Sequence, residues 1–170
     1  MPSFTATARS NQLPSKSLAN PTSETQFLGA DGNVLICPLE GSLVLNNRRF
    51  RLSIAGFGTS TGANNLVIKV YFGISTTIGN NTQIVTSGNV AMNSTNQNWF
   101  MDVNMMFDTQ SAKIQGTFQG QGANAVIALA ALSNVPTSVS DAAEGQGFTI
   151  TATCAGTSSH TVQTFEIIPE

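Results

Sequence analysis

The sequence predicts an all-β fold, an antiparallel jelly-roll or β-sandwich domain carrying an extended N-terminal arm. Three observations lead there. Apolar and polar residues alternate along several stretches, the period of a half-buried strand. No long stretch repeats its apolar residues at the three-and-four spacing of an amphipathic helix, so a βαβ architecture is excluded. Clusters of Gly, Ser, Thr and Asn punctuate the stretches at short intervals, as in sandwiches and barrels.

Residues 1–22 hold Pro2, Pro14 and Pro21 among Ser, Thr and Asn without periodicity. They are expected to be an extended arm, ordered by what they contact. Residues 23–170 are expected to form the sandwich. Its first strand is expected within Asn33 to Leu39, around the run Val34-Leu35-Ile36-Cys37, and a second at Ser42 to Leu45 before a turn at Asn46-Asn47. Phe50, Leu52 and Ile54 alternate with Arg51 and Ser53. Gly56 to Asn65 reads as a loop, and Leu66, Ile68, Val70, Phe72 and Ile74 as the next strand. Gln83 to Met92 is a weaker strand with Gly88 as a candidate bulge. The cleanest alternation is Trp99, Met101, Val103, Met105 and Phe107, with Asp102 and Asn104 opposite, so these five should point inward together. Ala112 to Gln119 follows, and Ala125 to Leu132, whose alanines and leucines also suit a short helix, is read as a strand because it sits in a regular succession of strands. Phe148, Ile150, Ala152 and Cys154 alternate with three threonines, and Thr161 to Ile168 closes the fold.

Composition narrows the function. Only 9% of residues are charged, against about 25% in a typical soluble domain. Ser, Thr, Asn and Gln number 63 of 170, so the surface is neutral and polar, easily desolvated and suited to assembly. The net charge is −2, and the densest basic cluster is Arg48, Arg49 and Arg51. Binding to nucleic acid by phosphate neutralisation is therefore not expected. The first residues lack the charged and apolar regions of a signal peptide, and the apolar run from Ala125 to Leu132 is too short to span a bilayer.

Catalytic chemistry has few residues to work with. His160 is the only histidine and reads as an exposed residue of a polar turn, Gly156 to Thr161. No serine sits in a Gly-x-Ser-x-Gly elbow. Cys37 and Cys154 read as buried free thiols, and one histidine with two distant cysteines does not make a zinc site. Asp102 with Asp108, and Asp141 with Glu144, lack the spacing of a calcium loop. Gly56-Phe57-Gly58 and Gly145-Gln146-Gly147 complete no phosphate-binding fingerprint. The sequons at Asn80 and Asn93 read as chance matches in an Asn- and Thr-rich chain. No enzyme, metal or cofactor is expected. Trp99 and Tyr71 are candidate sugar platforms, though Trp99 starts an apolar face and Tyr71 lies opposite Phe72, facing out or into an interface. Phe57 and Phe100 fall off the apolar phase of their strands and are candidate contacts for a partner. So are Tyr71 and, from the arm, Phe4, Leu13 and Leu18.

The segment Arg48-Arg-Phe-Arg-Leu-Ser-Ile-Ala-Gly-Phe-Gly58 resembles a strand of tailed-phage virion modules, in which a basic and apolar alternation ends in Ala-Gly or Ser-Gly. Leu66 to Gly73, Trp99 to Met105, Phe148 to Thr153 and Thr164 to Pro169 continue the resemblance across residues 40–170. It implies a jelly-roll module of the kind used in capsid decoration (cement) proteins, head and tail fibres and baseplates, commonly trimeric and without catalytic residues. The expectation is a decoration protein on the outside of a phage head, made in the host cytoplasm. Its partners would be the major capsid protein and further copies of itself. A tail, fibre or baseplate component of the same fold is the alternative, and a non-catalytic carbohydrate-binding module a third reading.

Overall fold

The computed structural model describes residues 6–7, 14–38, 49–62, 64–92, 95–108, 113–122, 125–131, 135–136 and 147–169. In chain order its strands are β1 (Ala6–Thr7), β2 (Leu18–Ala19), β3 (Thr25–Gln26), β4 (Ile36–Pro38), β5 (Arg49–Ser60), β6 (Asn65–Phe72), β7 (Thr82–Thr86), β8 (Val90–Ala91), β9 (Gln97–Asp108), β10 (Lys113–Gly122), β11 (Ala125–Ala131), β12 (Val135–Pro136), β13 (Gly147–Cys154) and β14 (Ser158–Pro169). One 3-10 turn, Ile78–Asn80, precedes β7.

The strands form two antiparallel sheets packed as a sandwich, the architecture the alternation predicts. The larger sheet runs β1-β14-β5-β9-β10-β11, with β2 on β14 and β12 on β10. The smaller runs β3-β13-β6-β7, with β4 on β13 and β8 on β6. The core lies between them. Phe50, Leu52 and Ile54 of β5, Trp99, Met101, Val103 and Met105 of β9, and Phe165 and Ile167 of β14 are buried in the larger sheet. They meet Leu66, Ile68, Val70 and Phe72 of β6 and Phe148, Ile150, Ala152 and Cys154 of β13. Phe148 is central, with ring centroids 5.6 Å from Phe72 and 6.2 Å from Phe50. Each such side chain contributes about 1.5–3 kcal/mol when fully buried.

The connections β5–β6 and β13–β14 cross between the sheets. Their turns are joined, Thr61 N and Oγ1 both donating to the Thr157 carbonyl at 2.8 and 3.1 Å. Three boundaries differ from expectation. Gly56 to Ser60 is strand, because β5 continues past its last aliphatic residue between β14 and β9. The weak segment at 83–92 is two short strands, β7 and β8, separated by Gly88 at φ +66°. Ile74 lies beyond the end of β6 and is 36% exposed rather than part of the core. Ser42 to Leu45, and the side chain of Phe107, lie outside the described residues.

The first 22 residues are extended where described, but they lie on this chain's own sheets. β1 pairs with β14 through Ala6–Ile167 and Thr7–Glu166, and β2 through Leu18–His160 and Ala19–Ser159. Ser15 N donates to the Val162 carbonyl at 2.9 Å, and Val162 N donates to Ser15 Oγ at 2.7 Å. At Asn20 the chain turns with φ +49°, a left-handed angle that asparagine tolerates. Asn20 exchanges two hydrogen bonds with Ser158, and Cys154 N donates to the Pro21 carbonyl at 2.8 Å. Residues 14–26 thus form a strap that leaves the larger sheet at β2 and joins the smaller one at β3.

Candidate binding surfaces

The outward face of the larger sheet carries Ala55 and Phe57 of β5, Asn98 and Phe100 of β9, and Gln119 and Gln121 of β10. Phe100 is 44% exposed, the most open of the large apolar side chains described. Cross-strand pairing sets it between Ala55 and Gln121. Beside it β14 bulges. Its register steps from Val162–Gly56 to Thr164–Ala55, leaving Gln163 as an extra residue without a partner on β5. A bulge re-aims a side chain, and here Gln163 is exposed. Asn98, Phe100, Gln121 and Gln163, with Ala55, Gly56 and Trp99, line a depression of about 450 Å³.

Gly56 and Gly58 explain the other side of this region. Both are buried at inward positions of β5. A β-carbon at Gly56 would overlap the Trp99 indole and the Thr161 carbonyl, and one at Gly58 would overlap the His160 imidazole. The two glycines therefore make room for two rings across the sheet.

A second surface lies at the rim of the smaller sheet. Leu28 and Ile74 are each 36% exposed. Leu28, Val34 and Ile36 with Thr25, Gln26 and Thr76 border a depression of about 540 Å³. Gln26 Nε2 ties this rim to the loop after β6 by donating to the Ser75 carbonyl at 2.9 Å. Sequence reasoning missed this surface. The available signal was the position of Leu28 and Ile74 next to Gly29 and Gly73, where apolar residues end up outside regular strands.

Among the expected contact residues, Phe100 is exposed and Phe57 half-buried on the larger sheet. Leu18 packs against the chain's own core. Tyr71 is on the outward face of β6 as its phase requires, yet only 7% exposed, because Glu24 of the strap lies over it. The Tyr71 hydroxyl donates to Glu24 Oε1, Thr151 Oγ1 donates to the same oxygen at 2.8 Å, and Lys69 Nζ pairs with Oε2 at 2.7 Å. Burial raises the carboxyl pKa, but these three donors and the lysine charge outweigh it, so the net shift is downward. The Tyr71 phenol is pushed up, by burial first and then by its bond to Glu24 and the carboxylate charge. Phe4 and Leu13 lie outside the described residues. Trp99 and Tyr71 are both buried, so neither sugar candidate supplies an exposed platform, whereas Phe100 does.

His160 departs from expectation. It belongs to β14, not to an open turn, and is fully buried. The strap covers it at Leu18 and β5 backs it at Gly58. Burial lowers its pKa to about 4. Neither ring nitrogen has a hydrogen-bond partner among the described residues, nor do Trp99 Nε1 and Ser158 Oγ. No acid orients the imidazole, so it lacks the relay of a serine–histidine system. Cys37 and Cys154 are buried free thiols. Cys37 pairs with Phe148, six residues along β13 from Cys154, about 20 Å at the rise of a strand and too far for a disulfide. Burial and then the Glu166 charge push the Cys37 thiol upward, away from nucleophilic use.

No family model and no curated protein sequence matches the chain. Among solved structures, a Lotus tetragonolobus seed lectin isoform is similar over 99% of this chain and 98% of its own, at 11% identity and a TM-score of 0.47.

Proposed function

We propose that the protein is a non-catalytic structural component of a phage virion, a decoration protein that binds the outside of the head and ties neighbouring major capsid proteins together. The observation that carries the reading is the partial exposure of two apolar side chains at the margin of the smaller sheet, Leu28 and Ile74, on a surface rich in hydroxyls and amides. Among the described residues that line the depression there none is charged, Lys16 reaching only its Gly32 edge, so contact there desolvates little that is costly. The main ionic cluster, Glu24 with Lys69 and Tyr71, is engaged within the fold. Bound decoration stabilises a shell by mass action, because its contacts must break before the shell opens.

Particles lacking the protein, incubated with the purified chain and imaged by electron microscopy, test the reading. Added density on the head surface is expected, with sedimentation of the free protein as a trimer. The double variant Leu28→Ser, Ile74→Ser should keep its fold and lose about tenfold or more in particle affinity, since buried apolar anchors carry interface energy. Density at the tail or baseplate would favour the alternative location, and no association with particles would overturn the proposal.

A further inference from the structure

We infer that the depression around Phe100 on the larger sheet is a binding site for a neutral oligosaccharide, separate from the rim assigned to assembly. Three observations converge. Phe100 is 44% exposed in the middle of a regular sheet, directly between Ala55 and Gln121. An aromatic face in that position stacks on the apolar C–H face of a sugar ring. Around it stand the primary amides of Asn98, Gln121 and Gln163. Each amide offers both donors and an acceptor, matching adjacent hydroxyls, which also do both. Gln163 is placed there by the β14 bulge, which interrupts the ladder at the single point bordering the depression on that side.

The lining also excludes other classes of ligand. Among the described residues it contains no Lys or Arg to hold a phosphate or carboxylate, and no Asp or Glu to hold a cation. Its volume, about 450 Å³, lies in the range of small-ligand sites of about 300–1,000 Å³.

Isothermal titration calorimetry of the intact protein reads binding directly. The probes are cellotetraose, maltotetraose, mannotriose and N-acetylchitotriose, with glucose 6-phosphate as an anionic control. At least one neutral oligosaccharide should give a saturable heat of binding, with a dissociation constant on the order of 1 mM or below. Phe100→Ala should weaken that binding about tenfold and Gln163→Ala about threefold. Both positions are exposed, so the circular dichroism and melting temperature should stay unchanged. The Leu28→Ser, Ile74→Ser variant should bind the sugar normally, which separates failure here from failure of the assembly reading. Absence of a saturable response to all four neutral sugars at about 20 mM would overturn the inference, given the weakest affinity such a site would show. So would undiminished binding by Phe100→Ala, or tighter binding of glucose 6-phosphate.

Discussion

His160 should contribute to the acid sensitivity of the domain. It is fully buried with a pKa of about 4, against 6.5 for a free histidine. Above pH 6.5 both folded and unfolded chains are neutral at this position, and stability is complete. As the pH falls below 6.5 the unfolded chain takes up the proton and the folded chain does not, so stability declines until about pH 4 and then levels off. The 2.5-unit difference corresponds to a loss of about 3 kcal/mol. Urea melts from pH 8 to pH 3.5 should show this decline, and His160→Leu should flatten it; an unchanged profile would mean that the ring is protonated at no cost. The neighbouring glycines are equally demanding. Gly58→Ala places a methyl group against the His160 ring and the Ser159 carbonyl, and should cost about 1–3 kcal/mol as overpacking, read as a lower urea midpoint. Neither role was legible in the sequence. A histidine among serines and threonines looks solvated, and a Gly-Phe-Gly triplet looks like a loop. Only the cross-strand neighbours show that the glycines accommodate rings.

At the scale of elements, the strap decides how the first residues behave. A proline-rich segment without periodicity was expected to be ordered by a partner. Here its described part is ordered by β13 and β14, because two-residue strands suffice when a long strand offers an unpaired edge. Removing residues 1–22 takes away β1 and β2, exposes His160 and Thr161, and leaves Cys154 N and Ser158 N without their acceptors. The truncated protein should therefore melt several degrees lower, since each lost kilocalorie lowers the midpoint of a domain this size by about 3 °C. A melting temperature equal to that of the full chain would show that the strap is dispensable. Glu24 anchors the strap's far end. Glu24→Ala leaves the Thr151 hydroxyl without its acceptor and the Tyr71 hydroxyl with only a long bond, 3.4 Å, to Gln83 Oε1, and should cost about 1–3 kcal/mol. In the native protein this stabilisation is present above the ordinary carboxylate pKa of 4.5 and is lost as the pH falls through the lowered folded value. The effect of Glu24→Ala, measured by chemical denaturation, should accordingly be larger at pH 7 than at pH 3.

At the scale of the whole molecule, the scarcity of charge predicts how association responds to salt. Docking through a rim bordered by neutral residues has little Coulombic energy to screen. Raising sodium chloride from about 0.05 to 0.5 M shortens the screening length severalfold, yet should change particle affinity less than about threefold, as measured by co-sedimentation; a steep loss would point to a charged interface instead. The sequence by itself determined the fold class, the inward direction of Trp99, Met101, Val103 and Met105 on β9 and the outward position of Phe100. These follow from a period of two, which any strand imposes on its own side chains whatever its partners. It also determined the poverty of catalytic groups, which is a matter of inventory. Only the tertiary structure decided that Tyr71 is covered, that His160 is buried, that the strap lies on its own sheets and that Gln163 stands out from a bulge beside Phe100. Each of these depends on which strand lies alongside and in what register, and register is settled by contacts between residues as far apart as Ser15 and Val162, which no local pattern encodes.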